Sequence, residues 1–153
     1  MLNPSTADEE KNDPTISRLC RLAENSGFSR LLVLNLLAVR ATNPVDIWLH
    51  NNPLGADNWQ TWDGVLKELI PDRDSIAVAW GRAPAGRREL LQFTPILVEA
   101  SRRLKVWPGP IMTWVQNLDS SPRHPLYISV ATRLQPYDLD NYVGALLQRN
   151  NAL

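Results

Sequence analysis

Residues 30–44 read RLLVLNLLAVRATNP, and they combine two apolar runs with one polar interruption. The four apolar residues at 31–34 suit a strand that is buried on both faces, as in a parallel sheet covered by helices. Asn35 interrupts the apolar run, and a polar loop closes the stretch at residues 40–44. Ligands of open parallel sheets bind beyond the carboxyl ends of the strands. Asn35 is therefore expected either to meet a ligand or to satisfy backbone groups of a neighbouring loop.

Helical and extended patterns alternate along the rest of the chain. Apolar spacing predicts helices that begin near Asp13, near residue 57 and at Leu139, and a further one through residues 90–104, which Pro95 should break or kink. Residues 76–80 and 111–115 predict two more strands. The alternation predicts one α/β domain over residues 1–153, with three layers and a mostly parallel sheet.

Length and composition set the broad class of protein. The 153 residues match the size of one domain, and 16 basic residues balance 16 acidic ones. This balance argues against tight non-specific binding to DNA, although a local basic rim stays compatible with it. Cys20 is the only cysteine, which excludes an internal disulfide and fits a reducing, cytoplasmic setting. No apolar run approaches the roughly 20 residues that span a bilayer, so no membrane partner is expected.

The standard signatures of cofactor and metal sites are absent from the sequence. It contains no Walker loop, no GxGxxG, no GxSxG and no HExxH, and its two histidines are too few for a histidine-rich metal site. No cofactor and no metal are therefore predicted. His50 is expected at the surface, whereas His124 follows a predicted strand and is better placed for chemistry. Arg82, Arg87 and Arg88 are either a solvated helix start or a phosphate contact.

Five motifs occur in a fixed order along nearly the whole chain. They are LNPSTAD at residues 2–8, DPTI at 13–16, NLLAVRATNP at 35–44, AWG at 79–81 and PRHPLY at 122–127. Together they resemble the bacterial and phage domain-of-unknown-function family 1643, which brings no established activity. Members of that family carry a further segment, with an initial strand, before the first motif. The absence of that segment, including the first strand, suggests a truncated or misannotated start. If the segment is a true loss, residues 1–8 should be poorly anchored and the core partly exposed.

The order of these motifs is also similar to the uracil-DNA glycosylase superfamily. In those enzymes an Asp or Asn directly before Pro positions or activates water, and Asn3-Pro4 matches it. A strand that ends in Asn, followed by a VRA-like segment, supplies the amide that reads the base edge. Asn35, with Arg40 five residues on, matches that pattern.

Two later motifs continue this resemblance. A further strand of the superfamily ends in Trp-Gly, as do Trp80 and Gly81, and a His-Pro loop supplies the histidine that stabilises the departing base. His124 matches that histidine and can donate to the carbonyl oxygen that gains charge as the glycosidic bond breaks. Asn3 can orient water but cannot act as a strong base, which implies weaker catalysis or none.

Three functions follow from these observations. The first is an enzyme that acts on a nucleobase N-glycosidic bond. The second is a non-catalytic module that binds a nucleobase or nucleotide, and the third is a phage-accessory interaction protein on the same fold. The expected partners are a nucleobase, a nucleotide or DNA. The predicted catalytic residues are Asn3 and His124, and the predicted substrate-binding residues are Pro4, Asn35, Arg40, Trp80, Gly81 and Arg123.

Overall fold

The computed structural model describes residues 1–4, 13–41 and 43–152. Five helices, one 3-10 helix and three short strands lie in this part of the chain. The helices are α1 (Pro14–Asn25), α2 (Pro44–Ile47), α3 (Asn58–Glu68), α4 (Arg87–Leu104) and α5 (Leu139–Asn151), with the 3-10 helix at Pro125–Tyr127. The strands are β1 (Ile76–Ala77), β2 (Ile111–Thr113) and β3 (Gln135–Pro136).

Helix α1 begins and ends where local chemistry requires. The Asp13 side chain accepts hydrogen bonds from the backbone N–H groups of Thr15 and Ile16, and Pro14 occupies the first turn, where its missing N–H costs nothing. Beyond the last residue of α1, Gly27 adopts a positive φ of 86°, which glycine tolerates without a steric penalty. The predicted start of this helix is confirmed.

Helix α4 runs through Pro95 without a break, so the predicted break is wrong, and the alternative, a kink, stays a prediction. A proline inside a helix removes one hydrogen bond and costs about 3 kcal/mol. The apolar face of α4 is wholly or nearly wholly buried, and this burial outweighs that cost because each such side chain contributes about 1.5–3 kcal/mol. The buried apolar residues of α4 are Leu90, Phe93, Leu97, Ala100 and Leu104.

The sheet is mixed, so the prediction of a mostly parallel sheet is wrong. β1 and β2 pair in parallel, with Ile76 opposite Ile111, and β3 pairs antiparallel with β2, with Thr113 opposite Gln135. The buried Thr113 hydroxyl donates to the Val78 carbonyl oxygen at 3.0 Å and ties the first two segments together. The sequence does not predict β3, because β3 consists of two exposed residues, one of them a proline. So short a segment shows no alternating strand pattern.

Residues 31–35 do not belong to this sheet, which corrects the prediction of a central strand there. Leu31 and Val33 pack against one core cluster, whereas Leu34 packs against the other. These three side chains are half-buried and Leu32 is exposed, so the prediction of a run buried on both faces is wrong. Residues 31–35 form no β-ladder, because only the carboxyl end of this stretch has a hydrogen-bonded neighbour among the described residues.

That neighbour is the amino end of the chain. The Met1 amino group donates to the Leu34 carbonyl oxygen at 2.8 Å, and the Leu36 N–H donates to the Met1 carbonyl oxygen at 2.9 Å. This is the hydrogen-bond pattern of parallel strands, with Met1 opposite Asn35. The prediction that residues 1–8 are poorly anchored is wrong for residues 1–3, which are held by hydrogen bonds. Residues 5–8 lie outside the described part.

Two core clusters lie on opposite sides of the strand layer. The larger cluster joins α3, α4 and α5 and includes Trp62, Val78 and Phe93. The smaller one lies beside α1 and includes Leu22 and Trp114. Helices therefore cover both faces of the strand layer, so the chain has an α/β fold. Among the described residues, no helix is long and apolar enough to cross a membrane.

Candidate functional site

Asn3 holds the loop that carries Arg40. Its Nδ2 donates to the carbonyl oxygens of Ala41 at 3.0 Å and Val39 at 3.4 Å, and also to that of Pro4 at 3.0 Å. The carbonyls of residues 39 and 41 bracket Arg40, so one amide fixes the backbone on both sides of it. The donors of Asn3 are thus engaged by the protein, and its Oδ1 makes no hydrogen bond to the residues that the structure describes.

Asn35 has the opposite arrangement, because its backbone is engaged and its side chain is not. Its carbonyl oxygen accepts hydrogen bonds from Trp62 Nε1 at 3.0 Å and Asn58 Nδ2 at 3.3 Å, both on α3. Within the described residues, its half-buried side-chain amide makes no hydrogen bond. It can therefore offer a donor and an acceptor together to a ligand.

His124 is oriented by the 3-10 helix that follows it. Its Nδ1 accepts from the Leu126 N–H at 3.4 Å, as the cap of Pro125–Tyr127. With Nδ1 acting as the acceptor, the proton of the neutral imidazole resides on Nε2. His124 therefore presents an Nε2–H donor, and the buried Pro125 behind it fixes the backbone direction.

The surroundings of His124 favour its neutral form. Burial lowers the pKa of His124 below its ordinary value of 6.5, the charged form of the Met1 amine lowers it further, and the Asp13 carboxylate raises it. The Met1 amine has a pKa of about 5 and is uncharged at pH 7, so burial is the effect that keeps the imidazole mainly neutral there.

A network of hydrogen bonds fixes the loop that leads to His124. Arg123 Nε donates to Asn117 Oδ1 at 3.1 Å, and the Arg123 N–H donates to the Val115 carbonyl oxygen at 2.8 Å. The Tyr137 hydroxyl donates to the carbonyl oxygen of Ser120, which has a positive φ of 61°. Arg123 is therefore a structural member of this loop as well as a predicted binding residue.

Gly81 brings the Trp-Gly motif against the His-Pro motif. Its N–H donates to the Pro122 carbonyl oxygen at 2.9 Å, and a Cβ at this glycine would lie 3.6 Å from the Cβ of His124. The positive φ of 90° at Gly81 suits glycine and strains other residues. The Trp80 side chain is buried in the core beside Tyr142, with ring centroids 6.4 Å apart.

The arginines around these motifs differ in exposure. Arg40, Arg82 and Arg87 are exposed, whereas Arg123 is half-buried. Exposed guanidinium groups can pair with phosphate in a bidentate way. In the described chain, no three side chains among His, Cys, Asp and Glu are grouped to hold a metal ion.

The amino end of the chain pairs with the backbone around Asn35 through Met1, and Asn3 lies two residues further on. Among the described residues, no hydrogen bond joins Asn3, Asn35 and His124 directly. The effect of Asp13 on the pKa of His124 was not predictable, because the sequence pattern identifies Asp13 only as a helix cap.

The arrangement can do two things chemically. The Asn35 amide can pair with a group that has an acceptor beside a donor, as the edge of a pyrimidine does. The neutral His124 ring can donate from Nε2 to an oxygen that gains negative charge. These observations define the protein as an α/β protein whose candidate site residues are an amide, Asn35, and a neutral imidazole, His124.

The chain belongs to a family described as protein of unknown function (DUF1643), whose model matches residues 1–126. This match confirms the family resemblance that the five motifs indicated. No curated protein and no solved structure matches the chain. The resemblance to the uracil-DNA glycosylase superfamily stays a prediction.

Proposed function

We propose that this protein has a uracil-DNA glycosylase-like fold, and that it binds a pyrimidine nucleobase between Asn35 and His124 and cleaves its N-glycosidic bond slowly. The observation that carries the proposal is the state of His124. Its Nδ1 is engaged by a backbone N–H and its pKa is lowered, which leaves a neutral ring with an Nε2–H donor at pH 7.

Asn35 supplies recognition in this proposal. Its side-chain amide can donate to a base carbonyl oxygen and accept from the adjacent ring N–H. α3 stabilises the position of this residue, because Trp62 and Asn58 both hold the Asn35 carbonyl oxygen. A side chain on a backbone fixed in this way loses little entropy when the base binds.

His124 supplies the catalytic step. The bond between sugar C1′ and the base nitrogen breaks, and its electron pair moves into the base, where a ring carbonyl oxygen carries the negative charge. The Nε2–H of His124 donates to that oxygen and stabilises the charge. A water oxygen then bonds to C1′, the sugar keeps the new hydroxyl, and the proton released by the water neutralises the base.

A specific observation favours a second candidate, which is binding without turnover. Asn3 is the residue expected to position water, yet its Nδ2 donates to three backbone carbonyl oxygens. An amide also has no basic group that could accept a proton from water. The reaction therefore depends on His124 alone among the predicted residues, and it is slow for that reason.

The test uses single-stranded and duplex oligonucleotides that contain one deoxyuridine. Strand cleavage by alkali measures the abasic sites formed under single-turnover conditions, and titration with a 2′-fluorinated, non-hydrolysable analogue measures binding. His124→Ala should lower the rate more than the affinity, because the charge that it meets develops only in the transition state. Asn35→Ala should weaken binding by about 1–3 kcal/mol, the range for one bidentate contact with a base.

His50→Ala and Asn51→Ala are the matched controls, since both residues are exposed and of the same type. Neither control should change rate or affinity. Saturable binding without any abasic product would select the second candidate. Absence of binding to either oligonucleotide and to free nucleosides would reject both candidates.

A further inference from the structure

Tyr127 exposes a large aromatic ring beside the candidate site residue His124. The residue is 73% exposed, and its ring centroid lies 6.1 Å from that of His124. An aromatic ring carries a large apolar surface, which gains free energy when its faces leave water. The ring of Tyr127 is therefore available to a ligand that reaches His124.

The backbone on both sides of Tyr127 is fixed by hydrogen bonds. The Tyr127 N–H donates to the His124 carbonyl oxygen at 3.2 Å, within the 3-10 helix. The next residue, Ile128, is buried, and its N–H donates to the Pro125 carbonyl oxygen at 3.0 Å. The Ile128 carbonyl oxygen accepts from Arg18 Nη1 of α1 at 3.2 Å. A ring held on such a backbone loses little entropy when a ligand contacts it, because only two side-chain torsions remain to be fixed.

The arrangement of the two rings gives each of them a separate contact. Their planes are inclined by 54°, with the centroids 6.1 Å apart. A base held between two rings needs them parallel and about 7 Å apart, which is twice the base spacing of about 3.4 Å. Tyr127 and His124 therefore cannot enclose one base. With the target base at His124, the exposed face of Tyr127 is left for the base of the adjacent nucleotide.

Arg123 directly precedes His124 and can contact the phosphate that joins two such nucleotides. Its Nε donates to Asn117 Oδ1 at 3.1 Å, which orients the guanidinium group. Its Nη groups make no hydrogen bond within the part of the chain that the structure describes. Nη groups of an oriented guanidinium pair well with phosphate oxygens.

A single strand fits this arrangement better than a duplex does. Inside a duplex, the faces of each base are stacked on its neighbours, so stacking a second base on Tyr127 would break further base stacks. In a single strand, a base can stack on an aromatic side chain whatever its identity. Duplex affinity also depends on many basic contacts with phosphate, and this chain has 16 acidic residues for its 16 basic ones.

We propose that the site binds two consecutive nucleotides of single-stranded DNA. The target base lies at Asn35 and His124, the base next to it stacks on Tyr127, and the phosphate between them contacts Arg123. This inference rests on the proposed function for the position of the target base. It assigns the substrate class as an oligonucleotide, in place of a free base or nucleoside.

The experiment is a double-mutant cycle between Tyr127 and the neighbouring base. Fluorescence anisotropy measures the affinity of the wild type and of Tyr127→Ala for single-stranded DNA that contains one 2′-fluorinated deoxyuridine. In matched strands, an abasic spacer replaces the base on its 3′ side or on its 5′ side. In the wild type, the spacer on one of the two sides should weaken binding about five- to hundredfold, the range for one base stacked on an aromatic side chain. Tyr127→Ala should weaken binding to the intact strand by a similar factor, and the same spacer should then have no further effect.

Two further variants separate stacking from a change of the surface. Tyr127→Phe keeps the ring and should bind as the wild type does. Val106→Ala is the matched control, because Val106 is 72% exposed and precedes β2, whereas the site follows that strand. This control should leave the affinity for every strand unchanged.

The outcomes distinguish a failure of this inference from a failure of the proposed function. Losses from Tyr127→Ala and from the spacer that simply multiply would overturn the stacking, and the proposed function would stand if Asn35→Ala still weakens binding. Full coupling together with an Asn35→Ala variant of wild-type affinity would reject the proposed function and keep Tyr127 as a stacking residue. Free deoxyuridine or a duplex that binds as tightly as the single strand would overturn the assigned substrate class. Absence of binding to every strand would overturn both.

Discussion

The Met1 amino group and the Leu34 carbonyl oxygen form a 2.8 Å hydrogen bond inside the fold, where Met1 is half-buried. This contact begins the short parallel pairing that holds the amino end against residues 34–37. It also places a titratable group inside the fold. The first prediction follows from this placement.

Stability should rise with pH between about 5 and 8. The Met1 amine has a pKa of about 5 in the folded chain and an ordinary value of 8.0 when exposed. Within this window the unfolded chain binds one more proton, so raising the pH favours folding. Three pKa units correspond to about 4 kcal/mol of unfolding free energy, as an order of magnitude. Urea denaturation at pH 5, 6.5 and 8 measures it.

The control for that prediction is the protein acetylated at Met1. The acetylated amide keeps the donor to Leu34 but cannot titrate, so most of the slope should disappear. The residual slope comes from other groups, including His124, whose lowered pKa acts in the same direction. An unchanged slope after acetylation would mean that the amine is solvated.

Asn3→Asp should destabilise the protein, although it installs the carboxylate that a strong general base requires. The Asn3 amide donates to the carbonyl oxygens of Val39 and Ala41, and a carboxylate in its place would repel both. We expect a loss of about 1–3 kcal/mol in unfolding free energy. Thermal and urea denaturation measure it, with Asn51→Asp as the exposed control. Unchanged stability with faster turnover would make Asn3 a water-positioning residue.

Asp13→Asn should lower the pKa of His124 further. The Asp13 carboxylate is the group that raises this pKa against the effect of burial. Asn caps a helix about as well as Asp does, so α1 should begin at the same residue. NMR titration of the His124 ring measures the shift, and His50 serves as the internal reference. A His124 pKa that does not move would show that Asp13 is too distant or too well solvated to act.

Phe93→Ala should cost about 3–5 kcal/mol, because it removes a fully buried ring from the larger core cluster. The ring of Phe93 meets that of Trp48 edge-on, with centroids 6.3 Å apart, so this contact is lost as well. Leu91→Ala on the exposed face of the same helix is the control and should change stability by about 0.5 kcal/mol or less. Equal losses would contradict the assigned face of α4.

Local patterns predicted the helices well. Asp13 followed by Pro14 marked the start of α1, and the apolar spacing of Leu90, Phe93 and Leu97 marked the buried face of α4. The effect of Pro95 was not predictable in the same way. Whether a proline breaks a helix depends on how much apolar surface the helix buries on both sides of it, which is a tertiary property.

Strand pairing was the part that the sequence could not determine. The run at residues 31–34 has the composition of a doubly buried strand, yet a ladder also needs a neighbouring strand. Among the described residues, only Met1 forms a backbone hydrogen bond with that run, at Leu34. The candidate site was likewise predictable only where its residues lie in local motifs. His124 and Gly81 were identifiable from their motifs, but the engagement of the Asn3 amide by two distant carbonyl groups depends on the folded loop.

The most direct test of the central claim, that Asn35 and His124 bind one nucleobase together, is an NMR titration of the wild-type protein with uracil at pH 7. We predict that the Asn35 side-chain amide and the His124 Nε2–H shift together with a single dissociation constant, while the engaged Asn3 amide shifts much less. Saturable shifts at only one of the two residues, or none at either, would contradict the claim.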